Sequence, residues 1–239
     1  MTRQKFAGIT LIGFGLTISV IGALLMFSAL NAERVNRWLT DWAEVGEQPS
    51  PTDFAMAEAA AIRAIRFYPG PSGAHWDRLG RVYDWQHWQS PLNKGPMEIA
   101  LLSASEILNE SLGTSGSANR GATRLRAISA YQQAVELRPL WPYGITRLAA
   151  ARLRAGGNDQ DLAELLKNAY QLGPWRPMVN RRITEIGLRG WAGLDQQARD
   201  IVLENARRTV SLSRADERWV RELGEQTDLD RLLKLMVLP

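Results

Sequence analysis

The stretch Ala127-Ile128-Ser129-Ala130-Tyr131-Gln132-Gln133-Ala134-Val135-Glu136-Leu137-Arg138-Pro139 decides the fold. Ala127, Tyr131, Ala134 and Leu137 are spaced 4, 3 and 3 apart, and a proline follows 2 residues later. Residues at i, i+4 and i+7 share one helix face, alanines there let a second helix approach closely, and the proline stops the helix. The same spacing recurs at Ala57, Ala61, Ala64, Phe67 and Pro69, and again at Leu162, Leu166, Ala169, Leu172 and Pro174. The three prolines lie 70 and 35 residues apart, so the period is 35 with one period skipped. Pro142 and Pro177, and Leu148 and Ile183, keep the same offset of 35. A repeat of this length reads as a helix pair that buries its apolar face only when neighbouring pairs stack on it.

Outward from these copies the spacing predicts helices near 53–67, 73–88, 97–112, 122–137, 142–155, 159–172, 177–189, 195–210, 214–224 and 228–236. No segment alternates with period two for long enough to form a strand. The repeat domain is expected over 53–210 and a helical cap over 211–239. The small, polar run 113–121, which follows the insertion that stretches the proline spacing, has the composition of a mobile loop. Asp159 with Asp161, and Asp228 with Asp230, stand just before helical runs, where carboxylates cap exposed amides and favour the helix dipole.

Upstream, no charged residue occurs between Lys5 and Glu33. Residues 6–32 read as a membrane anchor, since 24 mostly apolar positions from Ala7 to Leu30 make about 36 Å of helix. This apolar run is longer than that of a cleaved signal peptide and is not followed by a good cleavage site, so the expectation is an uncleaved single span. Gly15, Ser19 and Ala23 recur every fourth residue and form a stripe on which a second membrane helix can pack, although such spacing is common in spans. Arg3 and Lys5 place residues 1–5 in the cytoplasm and residues 33–239 in the periplasm, on the two sides of a bacterial inner membrane. Residues 33–52 are a juxtamembrane helix and linker. Val35, Trp38, Leu39 and Trp42 form a stripe there that fits packing on the first repeat or, for the tryptophans, the membrane interface.

The composition narrows the function. With 0 cysteines and 2 histidines among 239 residues, thiolate chemistry is excluded, and zinc sites and a serine–histidine–aspartate triad have too few ligands or bases. His75 and His87 lie more than three helical turns apart, too far to share a metal in a straight helix, and fit a partly exposed repeat edge. The net charge of +4 falls to +2 once Arg3 and Lys5 are set aside, which gives no nucleic-acid footprint. No catalytic motif, cofactor or metal is expected.

The 35-residue unit resembles the tetratricopeptide repeat family. The Ala127–Pro139 copy fits that family's second-helix pattern, and Trp76, Leu79, Gly80 and Tyr83 fit its first-helix signature. A narrower resemblance lies in Arg138-Pro139-Leu140-Trp141-Pro142-Tyr143, in Leu172-Gly173-Pro174-Trp175-Arg176-Pro177, and in Gly187-Leu188 with Trp191. This string is similar to VpsP-type polysaccharide biosynthesis proteins, although Arg176 stands where that family is expected to carry an acidic residue. The resemblance implies an all-α protein, one transmembrane helix followed by a tetratricopeptide-like α-solenoid. It further implies a non-catalytic scaffold whose partners are proteins of an exopolysaccharide (biofilm matrix) synthesis or export complex.

Trp141 and Trp175 stand apart from tryptophans such as Trp76, which fit core packing, because each lies in a proline-bounded turn. With Tyr143, Arg147, Arg176, Arg181 and Arg182 they form the candidate binding surface, where aromatic faces beside guanidinium groups suit sugars, acidic polysaccharide or a peptide. The competing reading is a corner tryptophan that staples consecutive repeats.

Overall fold

The structure is a computed structural model that describes residues 2–85, 118–157 and 160–238, with 2–11 and 118–121 described by their backbone alone. All its regular elements are helices: α1 Thr2–Val45, α2 Pro51–Phe67, α3 Gly73–Trp85, α4 Ala118–Leu137, α5 Pro142–Arg154, α6 Gln160–Leu172, α7 Pro177–Arg189, α8 Gln196–Val210, α9 Arg214–Gln226 and α10 Asp230–Met236. A short 3-10 turn spans Trp191–Gly193. The expected helix over 97–112, His87 and residues 113–117 lie outside the described residues. Residues 118–121, expected in the mobile loop, are the first turn of α4.

The helix ends follow local chemistry. Ser50 caps α2 by accepting from Asp53 N (3.1 Å), with Pro51 in the first helical position where no amide hydrogen is needed. Asp195 caps α8 through Ala198 N at 2.8 Å, and Ser213 caps α9 through Asp216 N at 3.1 Å. Gly46 ends α1 in the left-handed region (φ 71°), its amide donating back to Trp42 O at 2.9 Å.

Each helix packs on the next, and the odd-numbered helices also touch in series: α1 on α3, α5 on α7, α7 on α9. This is an array of antiparallel pairs, α1/α2, α3/α4, α5/α6, α7/α8 and α9/α10. The first three positions of the repeated pattern are buried in every copy: Ala57, Ala61 and Ala64; Ala127, Tyr131 and Ala134; Leu162, Leu166 and Ala169. The fourth position, Phe67, Leu137 or Leu172, lies at the rim. A further copy sits in α8 as Ala198, Val202 and Asn205, also buried. Its register slips by one residue and its third position is polar, which hides it from a search by period.

Two apolar clusters form the core. One joins Val35, Leu39 and Trp42 of α1 to Phe54, Leu79, Tyr83, Tyr131 and their neighbours. The other runs from Ile145 to Leu233, and Val135 and Leu165 pack against both. The tryptophan stripe of 35–42 therefore belongs to the first pair, and α1 is one uninterrupted helix of 44 residues, about 66 Å long. Its exposed residues include Ile12, Phe14, Leu16, Ile18, Leu25 and Phe27. It is long and apolar enough to cross a membrane. From residue 12 onward, the first buried residue is Ser28, inside the expected anchor boundary.

Close approach is enforced by glycine where the pairs cross. A methyl placed on Gly187 would fall 2.1 Å from the Val202 side chain, and one on Gly80 would fall 2.6 Å from the Tyr131 ring. Alanine is the better helix former by about 1 kcal/mol, but a clash of this size outweighs that gain. Gly187→Ala is therefore expected to lose about 1–3 kcal/mol in urea unfolding. Adding Val202→Ala should recover part of the loss in the double variant, because it removes the atoms that the methyl meets. A Gly187→Ala chain as stable as wild type would refute the α7–α8 contact.

Candidate functional site

Between α1, α3 and the start of α5 the array leaves a cleft of about 350 Å³. Four guanidinium groups line it, Arg78 and Arg81 from α3, Arg138 from the turn after α4, and Arg147 from α5, together with Trp141 and Tyr143. One lining carboxylate, Asp77, opposes them. The spacing on α3 produces this cluster, since residues 77, 78 and 81 share one side of the helix while Leu79, Val82 and Tyr83 are buried.

Asp77 is already taken. Arg147 donates to both its oxygens, at 2.6 Å to Oδ1. Burial works against the Arg147 charge, but Asp77, with Tyr131 and Asp84, more than offsets this, and the Arg147 pKa lies above the usual value. Arg78 has neutral partners: Nε donates to Asn36 Oδ1 (3.0 Å) and Nη1 to Ala74 O (3.2 Å). Among the described residues nothing accepts a hydrogen bond or ion pair from Arg81. Burial lowers its pKa, the Arg147 and Arg78 charges lower it further, and Asp77 raises it. The cleft thus holds an excess of partly desolvated positive charge, which an anion would stabilise.

The aromatic groups stand at the α5 end of the cleft. The Trp141 and Tyr143 rings lie 5.1 Å apart, tilted by 50°. Arg138 stacks on Trp141 at 4.5 Å, and Arg176 reaches over Tyr143 at 5.7 Å and Trp141 at 6.0 Å. These contacts hold planar cations on aromatic faces with their donors free at the edges.

Of the sequence-predicted surface, the structure brings together Trp141, Tyr143, Arg147 and, from the neighbouring turn, Arg176. Trp175 is not in the cleft; it is 79% exposed and stacks on Arg208 at 4.3 Å. Exposure at that level rules out a corner staple for Trp175, whereas Trp141 is half-buried. Arg181 pairs with Asp216 at 2.9 Å and stacks on Trp219 at 4.2 Å, and Arg182 pairs with Glu185 at 3.1 Å. Arg181 thereby braces α7 against α9, while the Arg182 pair stays within α7. Sequence reasoning missed Asn36, Arg78, Arg81 and Arg138. The available signal was the pair of arginines three apart in the otherwise well-matched first-helix signature.

Behind the cleft His75 is buried, not at an exposed edge as expected. Ser28 Oγ donates to Ala64 O at 2.7 Å, so its contact with His75 Nε2 at 3.1 Å requires the imidazole to donate from Nε2. Nδ1 then accepts from Arg78 Nη1 at 3.4 Å. Burial lowers the His75 pKa and the Arg78 charge lowers it further. A network from Ser28 through His75 and Arg78 to Asn36 therefore ties α1 to the cleft wall. On α1 itself Gly15, Ser19 and Ala23 are exposed; Ser19 Oγ donates to Gly15 O at 2.9 Å, and a methyl on Gly15 would meet nothing within 4 Å.

No family model matches the chain, and no curated protein matches it.

Two outcomes follow from these charges. Replacing Arg81 with Met removes an unpaired, partly buried cation while keeping its apolar stem, so stability should rise by about 0.5–1 kcal/mol, read by thermal unfolding. A loss comparable to a core truncation would mean that Arg81 holds the fold. The lowered His75 pKa means that the unfolded chain takes up protons first on acidification. The contribution from neutral His75 is therefore present above the unfolded value near 6.5 and is lost as pH falls below it. The melting temperature should drop between pH 7 and 5 in wild type and less steeply in His75→Gln, which keeps a donor near Ser28. Equal slopes would exclude His75 as the titrating group.

Proposed function

We propose that the chain is a non-catalytic, membrane-anchored helical-repeat scaffold that holds an anionic group of a partner in the Arg78–Arg81–Arg138–Arg147 cleft. The observation that carries this reading is four guanidinium groups facing one carboxylate that is itself consumed by Arg147. A cluster of this kind lowers stability unless a ligand uses it, and no residue in the cleft is arranged as a nucleophile or an acid–base pair.

The setting comes from other observations. The apolar first half of α1 supports anchoring, and the basic residues before it favour a domain on the periplasmic side of a bacterial inner membrane. The paired helices and their 35-residue period support a tetratricopeptide-like array. The resemblance of the 138–143 and 172–177 turns to VpsP-type proteins supports a role in assembling an exopolysaccharide synthesis or export complex. The anionic group is then an acidic side-chain cluster or chain terminus on a protein of that complex.

A second reading is a periplasmic glycan-binding protein, favoured by the Trp141 and Tyr143 rings beside the cleft. Arg138 already covers one face of Trp141, so an acidic sugar held through its carboxylate fits better than a neutral sugar held by stacking.

Binding to the full chain in detergent separates the readings. Titration calorimetry with an acidic peptide, an acidic polysaccharide and neutral dextran should show binding of an anionic probe and none of dextran. Arg78→Ala with Arg81→Ala should weaken the anionic interaction at least tenfold, since each charge-assisted hydrogen bond is worth about 1.5–3 kcal/mol. Peptide binding supports the scaffold, and binding of only the polysaccharide supports the glycan reading. Binding of neither, or affinity unchanged in the double variant, would remove the cleft from the function.

A further inference from the structure

The odd-numbered helices run parallel to α1, so their N-terminal ends share the edge of the array at which α1 leaves for its exposed apolar half. A chain of contacts follows this edge. Phe27 of α1 meets Phe67 at the end of α2 with ring centres 6.0 Å apart, and Ser28 bonds to Ala64 O and contacts His75 at the start of α3. Gly73 lies against Ala134 O and the Arg138 stem, and Gly173 lies against Pro142. Arg208 donates to Pro174 O, and Arg207 Nε donates to Met236 O at 2.8 Å. The turns 68–72, 138–141, 173–176 and 211–213 therefore line one edge, together with the end of α10.

These turns share a chemistry. Each carries an exposed apolar side chain: Tyr68 at 38%, Leu140 at 78%, Trp175 at 79% and Leu212 at 49%. Arginines stand in or beside each turn: Arg66, Arg138, Arg176, and Arg207, Arg208 and Arg214, of which Arg207 and Arg208 also reach Glu204. None of the stretches 66–76, 137–146, 172–182 and 205–214 contains an aspartate or glutamate. On the far edge the described connections carry carboxylates, with Glu44, Glu47 and Asp53 around the first, Asp195 in another, and Asp228 with Asp230 in the last.

We propose that this basic, apolar-tipped edge rests on the surface of the same bilayer that α1 enters, with Leu140 and Trp175 in the interface and the turn arginines on acidic phospholipid headgroups. The occupant follows from continuity, because the edge begins at the residue where α1 passes from protein contacts to apolar exposure. It follows also from charge. Tryptophan and leucine flanked by arginine are the side chains that the headgroup region accepts, and each basic residue near an anionic surface strengthens attachment about fivefold. The inference rests on reading α1 as a membrane span. It holds for either orientation, because the edge faces whichever leaflet borders the domain. Arg138 and Trp141 also bound the cleft, so a ligand held there sits at the membrane surface.

The test uses the full chain in vesicles. The sequence has 0 cysteines, so Phe14→Cys, Leu140→Cys, Trp175→Cys and Glu47→Cys each take a single spin label. Collisions with oxygen, enriched in lipid, and with a water-soluble nickel chelate give the depth of each label. In vesicles containing phosphatidylglycerol, labels at 140 and 175 should collide mainly with oxygen, as the label at 14 does, while the label at 47 collides mainly with nickel. Arg176→Glu, Arg207→Glu and Arg214→Glu together should return 140 and 175 to water and leave 14 in lipid. The proposal is overturned if 140 and 175 are as water-exposed as 47 while 14 is in lipid, or if they are shielded from both reagents, as under a second protein. A label at 14 that collides mainly with nickel refutes the span on which the proposal rests.

Discussion

The fusion of the membrane-length helix with the first repeat constrains everything else in this molecule. α1 does not end at the expected anchor boundary; it continues to Val45 and supplies Val35, Leu39 and Trp42 to the same core that holds Phe54, Tyr83 and Tyr131. No glycine or proline interrupts it between Ala23 and Gly46, so helix continuity is not locally broken. Below the apolar half, Ser28 is buried against α2 and His75, and Asn31 Oδ1 accepts from Arg63 at 3.0 Å. A domain attached in this way has few orientations open to it, which distinguishes it from a domain on a flexible tether. The cleft is therefore held in a fixed position relative to the first helix, with Asn36 of α1 forming part of its wall.

Polar contacts then lock helices together both within pairs and from one pair to the next. Tyr131 is fully buried, its ring lies on Gly80, and its hydroxyl donates to Asp84 at 2.7 Å. Burial and the Asp84 and Asp77 charges push its pKa well above the usual value, so it stays a donor at any physiological pH. Arg154 reaches the same carboxylate at 3.1 Å from α5. Tyr83 donates to Glu58 at 2.9 Å, and its pKa is pushed up to about 12. Further along, the amide orientation that satisfies Asn180 has Nδ2 donating to Asn205 Oδ1 and Pro174 O, both at 3.1 Å. That buried pair fixes the 173–176 turn. Register along an array of similar helices is weakly specified by alanine packing alone, and these directional bonds supply the missing specificity.

The sequence made the fold legible because packing helices impose a period, and a period survives in one dimension. Ala57, Ala61 and Ala64 could be matched to Ala127, Tyr131 and Ala134 without knowing what they touch. The α8 copy escaped because its register slips by one residue and Asn205 replaces a small apolar group. The site was half legible. Trp141, Tyr143, Arg147 and Arg176 lie within one repeat length of each other, and their proline-bounded turns marked them. Arg78, Arg81 and Asn36 lie far away in the chain and are brought to the cleft by helix stacking, which no local spacing encodes. Arg181 and Arg182 were misleading for the opposite reason: close in sequence to Trp175, they point to Asp216 and Glu185.

The placement of charge follows from the same architecture. In an array of antiparallel pairs every second turn lies on the same edge, so a bias repeated once per period accumulates into a surface feature. One arginine per turn is unremarkable in a single loop. Repeated through 66, 138, 176 and 207–214 without an intervening carboxylate in those turns, it gives a basic edge, relieved only where Asp216 and Glu217 open α9, while Asp53, Asp161, Asp195 and Asp230 at the starts of α2, α6, α8 and α10 lie on the other. Capping forces part of this. Asp53 and Asp195 stand at the starts of α2 and α8, where carboxylates favour the helix dipole. The odd helices α5 and α7 start at Pro142 and Pro177 with no side-chain cap. Proline relieves those turns of the need for an acidic cap and leaves their remaining positions free for Leu140, Trp175 and arginine. The turn chemistry that ends each repeat is thus what allows one edge of the array to be both basic and apolar.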